Sequence, residues 1–341
     1  MASMDIFNQD AFSMVSLTQA IQDVDYLPTL LGDLNVFEDD PVTTEAVAIE
    51  KRGDSLALIQ TSERGTEIAE RNNNKRDIRY FRTPRIAKGD TIYASEIQNI
   101  RAFGTETELE RVQAEIARRM AGPSGLMRDM ALTHEYMRLG AVQGILLDAD
   151  GSVIYNWFTE WGINQPAEID FELDDANTNV RAKCNAVVRA MAKAGKGTFI
   201  PNLTQVHSLT GDEMFDKLID HPSVRDTYTG WAAAEGLREG TAYRAFPFGG
   251  ILWHNYRGTD DGTTIAVPST KAKFFPVNAP GVFKRALAPA ETFDFVNTPG
   301  LPQYAMIVRD QQRNMWARPE VYSYPLYICT KPGMLQRAKM Q

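Results

Sequence analysis

Ser62-Glu-Arg-Gly-Thr-Glu-Ile-Ala-Glu-Arg-Asn-Asn-Asn-Lys-Arg-Asp-Ile-Arg-Tyr-Phe-Arg-Thr83 is the stretch whose character decides the fold. Its apolar positions thin to Ile68, Ala69, Ile78, Tyr80 and Phe81, so it cannot bury itself. It reads as a two-armed polar excursion with its tip near Asn72-Asn73-Asn74, and such a length of polar chain inside a compact domain is unusual unless it has a function. Residues 64 to 88 hold eight bases against Glu67, Glu70 and Asp77, whereas residues 1 to 50 hold ten acids and no Lys or Arg. An acidic arm and a basic loop on one chain suit extended parts that complete neighbouring copies. A monomeric enzyme seldom gives so much of its length to surfaces with nowhere to pack.

Upstream of the loop, Ser16 and Gln19 form a capping box ahead of Leu17, Ala20, Ile21 and Val24, which predicts a short amphipathic helix on the arm. Leu27, Leu30, Leu31, Leu34 and Phe37 extend its apolar stripe, which needs a partner surface. Glu45 to Lys51 and Ser55 to Thr61 read as strands joined at Gly53-Asp54. Downstream, Thr83 to Ile97 returns with strand character. Thr105 and Glu108 cap a helix carrying Leu109, Val112, Ile116 and Met120, and Gly122-Pro123 ends it. A second helix carries Met127, Met130, His134, Met137 and Ala141, so the two form a long spine broken near Pro123. A hairpin follows, with Gly144 to Leu147 and Val153 to Trp157 flanking Asp148-Ala-Asp-Gly151. Helices are predicted over 174–194, 211–219 and 223–235, and strands over 245–256 and 304–309, so the fold class is α+β.

The 341 residues are enough for about two domains and a sizeable core. Without the first fifty residues the chain holds 36 bases and 34 acids, so its net charge of -8 belongs to the arm. No apolar run reaches the roughly 18 to 20 residues of a membrane span, and the acidic start lacks the basic opening of a secretory signal; a cytosolic site of synthesis is expected. Cys184 and Cys329 lie in no metal or redox spacing and read as buried thiols.

The chemical motifs weaken on inspection. Asp148-Ala-Asp-Gly151 has its glycine at the wrong place for a calcium loop, and a hairpin turn is the better reading. Gly195-Lys-Gly-Thr198 resembles the end of a phosphate loop, but Ala190 replaces the first glycine, leaving Gly195 as a helix C-cap. His134-Glu135 has Arg138 where a zinc protease needs its second His, so His134 is a packed or interface residue. His207, His221 and His254 are scattered. No catalytic, metal or cofactor site is expected.

The order of elements resembles the major capsid protein E family of lambda-like tailed phages, with its Hong Kong 97 type capsid fold. Two stretches carry the likeness best: Ala57-Leu-Ile-Gln-Thr-Ser-Glu-Arg-Gly65 through Phe81-Arg-Thr-Pro-Arg-Ile-Ala-Lys-Gly-Asp90, and Asn314-Met-Trp-Ala-Arg-Pro-Glu-Val-Tyr-Ser-Tyr-Pro-Leu-Tyr-Ile-Cys329. The resemblance implies an N-terminal arm over 1–41, a strand pair and extended loop over 42–100, and a peripheral domain with the spine over 101–174. An axial domain over 175–298 and a return strand with a tail over 299–341 complete it.

The resemblance further implies a structural protein, not an enzyme, that forms pentamers and hexamers of an icosahedral head around double-stranded DNA. Portal and scaffold proteins, and in some heads a decoration protein, would be its partners, with assembly in the host cytoplasm and residence in the virion. Arg71, Lys75, Arg76, Arg79, Arg82 and Arg85 are expected to meet acids of neighbouring copies. Leu17, Ile21, Val24, Leu30 and Leu31 would supply arm contacts, and Gly122-Pro123 a bend in the spine on expansion. No Lys and Asn pair can be assigned to a covalent cross-link, so assembly is expected to be non-covalent, through interfaces above ~2,000 Å². The competing readings are a nanocompartment shell of the same fold, a decoration or tail protein, and an enzyme built on His207 with Asp212 and Glu213.

Overall fold

The computed structural model of the chain describes residues 30–51, 77–99, 108–122, 125–228, 245–259 and 265–341. In chain order these begin with α1 (Leu30–Asp33), β1 (Glu38–Pro41), β2 (Ala46–Lys51), β3 (Asp77–Arg82), β4 (Ile86–Gly89), β5 (Ile92–Tyr93) and α2 (Ala94–Asn99). The spine follows as α3 (Glu108–Ala121) and α4 (Leu126–Gln143), then β6 (Ile145–Leu147), β7 (Val153–Asn156), α5 (Trp157–Trp161) and β8 (Glu168–Asp170). Next come α6 (Val180–Gly195), β9 (Gln205–Thr210), α7 (Asp212–Asp220), α8 (Pro222–Tyr228), β10 (Phe246–Phe248) and β11 (Ile251–Asn255). The remaining strands are β12 (Lys271–Val277), β13 (Phe283–Leu287), β14 (Tyr304–Arg309), β15 (Trp316–Ser323), β16 (Pro325–Cys329) and β17 (Gln336–Lys339).

The largest sheet has six strands in the order β10-β11-β9-β12-β17-β8, and its β9 and β12 are almost wholly buried. Phe171, Trp253 and Phe274 pack there with ring centroids 5.3 to 6.0 Å apart. Strand β17 sits between β12 and β8 and joins them, leaving β8 at the edge of this sheet. A second sheet, β1-β13-β16, runs under the spine. A third, β14-β15-β4, takes β5 alongside and so joins the chain leaving the loop to the return strand.

The spine is two helices, broken between Ala121 and Leu126. Its second half is buried along Met130, His134, Met137 and Ala141, the stripe expected from the sequence. It stops at Gly144, whose φ of +85° turns the chain left-handed while its N–H bonds Ala141 O. A Cβ there would fall 2.4 Å from the Phe158 ring.

Several boundaries differ from the sequence reading, each for a local reason. The helix expected from 174 begins only at Val180, because the Asp175 carboxylate takes the Asn177 N–H in a turn of its own and Asn179 caps the helix through the Ala182 N–H. The residue that ends that helix left-handed is Lys196, at φ +52°, not Gly195. Gly195 is small for a different reason: its Cβ would meet Met334 Cε at 2.8 Å. Residues 245–256 split into a hairpin at Gly249-Gly250, both at positive φ, the conformation a two-residue turn demands. The described partner of β2 is β3, in antiparallel register from Ala46 opposite Arg82 to Lys51 opposite Asp77. Ser55–Thr61, the partner expected from the Gly53-Asp54 turn, lies outside the described residues. The hairpin at 148–151 is found, and both of its carboxylates are spent on local backbone N–H groups.

Candidate assembly surfaces

The arm meets the body at α1. Leu31 is 1% exposed within this one chain, and its N–H donates to Glu135 Oε1 at 3.0 Å. Leu30 and Leu34 pack on the same core, and the Phe37 ring meets Phe283 at a tilt and Tyr327 edge-on. The base of the arm stripe therefore finds its partner in its own spine. Leu17, Ile21 and Val24 lie outside the described residues.

Glu135 is buried and also accepts from Arg138 (3.3 Å) and from the Tyr256 hydroxyl (3.5 Å). Beside it, His134 Nδ1 lies 2.8 Å from the Tyr327 hydroxyl, which explains a histidine in the methionine stripe. Burial, aided by the Arg138 and Arg285 charges, pushes the His134 pKa down to about 3. Arg285 holds Asp39 with two bonds of 2.6 Å; burial opposes its charge, but the bonds to Asp39 and Tyr327 push its pKa up. With Lys284 facing Asp40, the acidic strand β1 is clamped to β13 by cations of its own chain.

The ribbon β2–β3 is the root of the loop, and its two faces differ. Phe81, buried, meets Tyr155, Trp157 and Trp161 with centroids 5.3 to 5.9 Å away, and Val47 opposite it is buried too. The Tyr155 hydroxyl bonds both the N–H and the carbonyl of Arg82. On the other face, Tyr80 is 73% and Ile78 52% exposed, with Ala48 exposed opposite Tyr80.

The expected basic residues divide. Arg71, Lys75 and Arg76 lie outside the described residues. Arg79 faces Glu160 at 3.7 Å, and Arg85 faces Glu291 at 3.2 Å while lying over the Tyr322 ring, so these two meet acids of their own chain. Arg82 is exposed. Gly122 sits where a Cβ would meet Arg118 O at 2.3 Å, so the helix break needs glycine there; Pro123 lies outside the described residues.

Some features were not read from the sequence. Arg119 binds Glu115, Asp90, the Thr91 carbonyl and Glu96, tying the spine to the chain that leaves the loop. The bond from Arg118, with help from Arg119 and against burial, holds Glu115 down to about 2. Basic residues following an acid at i+3 and i+4 on a helix were the available signal. The 99% exposure of Phe293 had no signal at all. Of the residues weighed for catalysis, His207 is buried and bonds His254 (3.0 Å) and Gln205, while Glu213 takes the Ser269 hydroxyl. Cys184 and Cys329 are buried free thiols, each pushed up to about 12 by burial.

A family described as phage major capsid protein E matches residues 13–340. The major capsid protein of Pseudomonas phage KPP10 is 30% identical over 314 residues, covering 87% of this chain and 88% of its own. That of Salmonella phage Felix O1 is 23% identical, covering 95% of each chain. Among solved structures, a protein assigned as the capsid protein of a prophage of E. coli CFT073 superposes with a TM-score of 0.57 at 14% identity, over 96% of this chain and 99% of that one. The capsid of cyanophage P-SCSP1u gives 0.52 at 10% identity, over 93% and 91%.

Proposed function

The chain belongs to the phage major capsid protein E family, has the Hong Kong 97 type capsid fold and is a coat protein; from that premise we propose how it builds its shell. Copies form the pentamers and hexamers of an icosahedral head around double-stranded DNA, with the loop of each subunit lying against the next. Portal and scaffold proteins, and a decoration protein where one exists, contact the shell during assembly in the host cytoplasm. The divisions 1–41, 42–100, 101–174, 175–298 and 299–341 serve as arm, loop, spine domain, axial domain and return segment, and Gly122-Pro123 takes up the bend when the shell expands. The observation that carries this reading is the two-faced ribbon. Its inner face is fastened to its own body through Phe81, and its outer face holds Ile78 and Tyr80 out to solvent, where a neighbour would cover them.

The test is electron microscopy of the chain expressed alone beside a variant in which residues 54–75 are replaced by a short Gly-Ser bridge. The replaced segment stops short of Phe81, because removing that residue would open the subunit's own core. Shells from the intact chain and only isolated rings or monomers from the variant are expected. Shells of equal yield from both would remove the loop from the assembly mechanism.

A further inference from the structure

Between β13 and β14 the chain makes a single helical turn at Phe293–Phe295. Phe293 stands 99% exposed there, and Val296 is also exposed. The turn is firmly held. Phe295 is buried with its ring 4.8 Å from Tyr304, its N–H bonds Thr292 O, and Thr298 bonds Phe295 O through both its N–H and its hydroxyl. Gly300 N–H then pins the segment to Val42 O. A phenyl ring is thus presented to water from a rigid base, flanked by the exposed acids Glu291 and Asp294.

A cleft of about 260 Å³ lies between β4 and the second spine helix. Its apolar lining comes from Ile86, Met130, Met137 and Ile154, and Arg85 and Lys88 stand among its lining residues. A cavity of about 150 Å³ accommodates benzene, so this one has room for a phenyl ring, and methionine side chains adapt to what enters. Of the acids that line it, Asp129 is held by Lys88 at 2.5 Å and Asp148 bonds the Ala149 N–H. The Arg85–Glu291 ion pair sets knob and cleft in one neighbourhood of the surface, yet Phe293 lies outside its own cleft.

Resting on the coat-protein reading, we propose that Phe293 of one copy docks into the cleft beside β4 of a second copy, with Asp294 joining the ion pairs that Arg85 and Lys88 make with Glu291 and Asp129. In a ring of copies each knob enters the cleft of the next copy, a head-to-tail contact.

The test uses the full chain. Phe293→Ala leaves the melting temperature of the unassembled subunit unchanged, because the ring touches little of its own chain, and raises the protein concentration needed for assembly, read by sedimentation velocity, at least tenfold. In a mixture of Asp294→Cys chains, which keep the Phe293 ring, with Ala149→Cys chains, oxidation links the two variants into dimers; neither variant alone gives them, since Cys184 and Cys329 are buried. Particles that assemble from the mixture without linked dimers overturn the proposal, as does normal assembly of Phe293→Ala. If the unaltered chain forms no particles under conditions that keep it folded, the coat-protein reading fails first and takes this contact with it.

Discussion

The six-stranded sheet and the β2–β3 ribbon are built by opposite rules. In the sheet, nearly every side chain of β9 and β12 is covered, and even its two histidines are sealed against each other. The ribbon is a single layer whose one face borrows the core of the spine region while the other is left bare. A two-stranded ribbon is marginal by itself, so Phe81 and its three aromatic partners anchor what residues Ile78 and Tyr80 display. The difference teaches that a subunit made for assembly concentrates its own stability in one place and its unsatisfied surface in another.

Adjacent residues on one strand give the sharpest way to break that contrast. Phe81→Ala should lower subunit stability by about 3–5 kcal/mol, as for other buried aromatics, read by denaturant unfolding; a loss under 1 kcal/mol would mean the ribbon is not anchored. Glu135→Ala should cost about 1–3 kcal/mol, because it leaves the buried Leu31 N–H without its acceptor. Retention of full stability would show that the arm base is held by packing alone.

The histidine pair probes the sheet. Burial lowers His207 to about 4, with His254 adding to it, and burial lowers His254 likewise. The unfolded chain therefore binds more protons between pH 6.5 and 4. Stability conferred by the neutral pair is present above pH 6.5 and is lost as pH falls through that window. A double His207→Gln, His254→Gln variant should show a flatter pH dependence of unfolding there; an unchanged slope would exclude the pair. The smallest effect is expected for Tyr80→Ala, within about 0.5 kcal/mol for the isolated subunit, although its assembly should weaken. Normal assembly would leave the outer face of the ribbon without a role.

Much of the fold was legible because periodicity reports burial. The Met130, His134, Met137 stripe, the hairpin at 148–151 and the buried thiols follow from spacing and residue type. What escaped depended on partners distant in sequence. Nothing near Glu45–Lys51 says that its partner lies beyond the loop at Asp77–Arg82, and a local turn signal at Gly53-Asp54 pointed elsewhere. The site was less legible than the fold. Arg79 and Arg85 look like unattached cations in sequence, and only folding brings Glu160 and Glu291 to them. Whether a side chain faces its own body or another copy is a property of the folded surface, and composition carries no record of it.

Strand β1 bears on the opposite problem, that of not binding. Among the described residues it lies at the margin of its sheet, with all four of its own residues exposed, and such a margin of backbone invites any passing strand to extend it. Glu38-Asp-Asp-Pro41 answers with acids, two of which Arg285 and Lys284 of its own chain already hold, and with a residue that has no amide hydrogen to offer. A protein crowded against its own copies during head construction faces fibrous misjoining as the rival outcome, and these four residues act as insulation that leaves other surfaces to choose the neighbour.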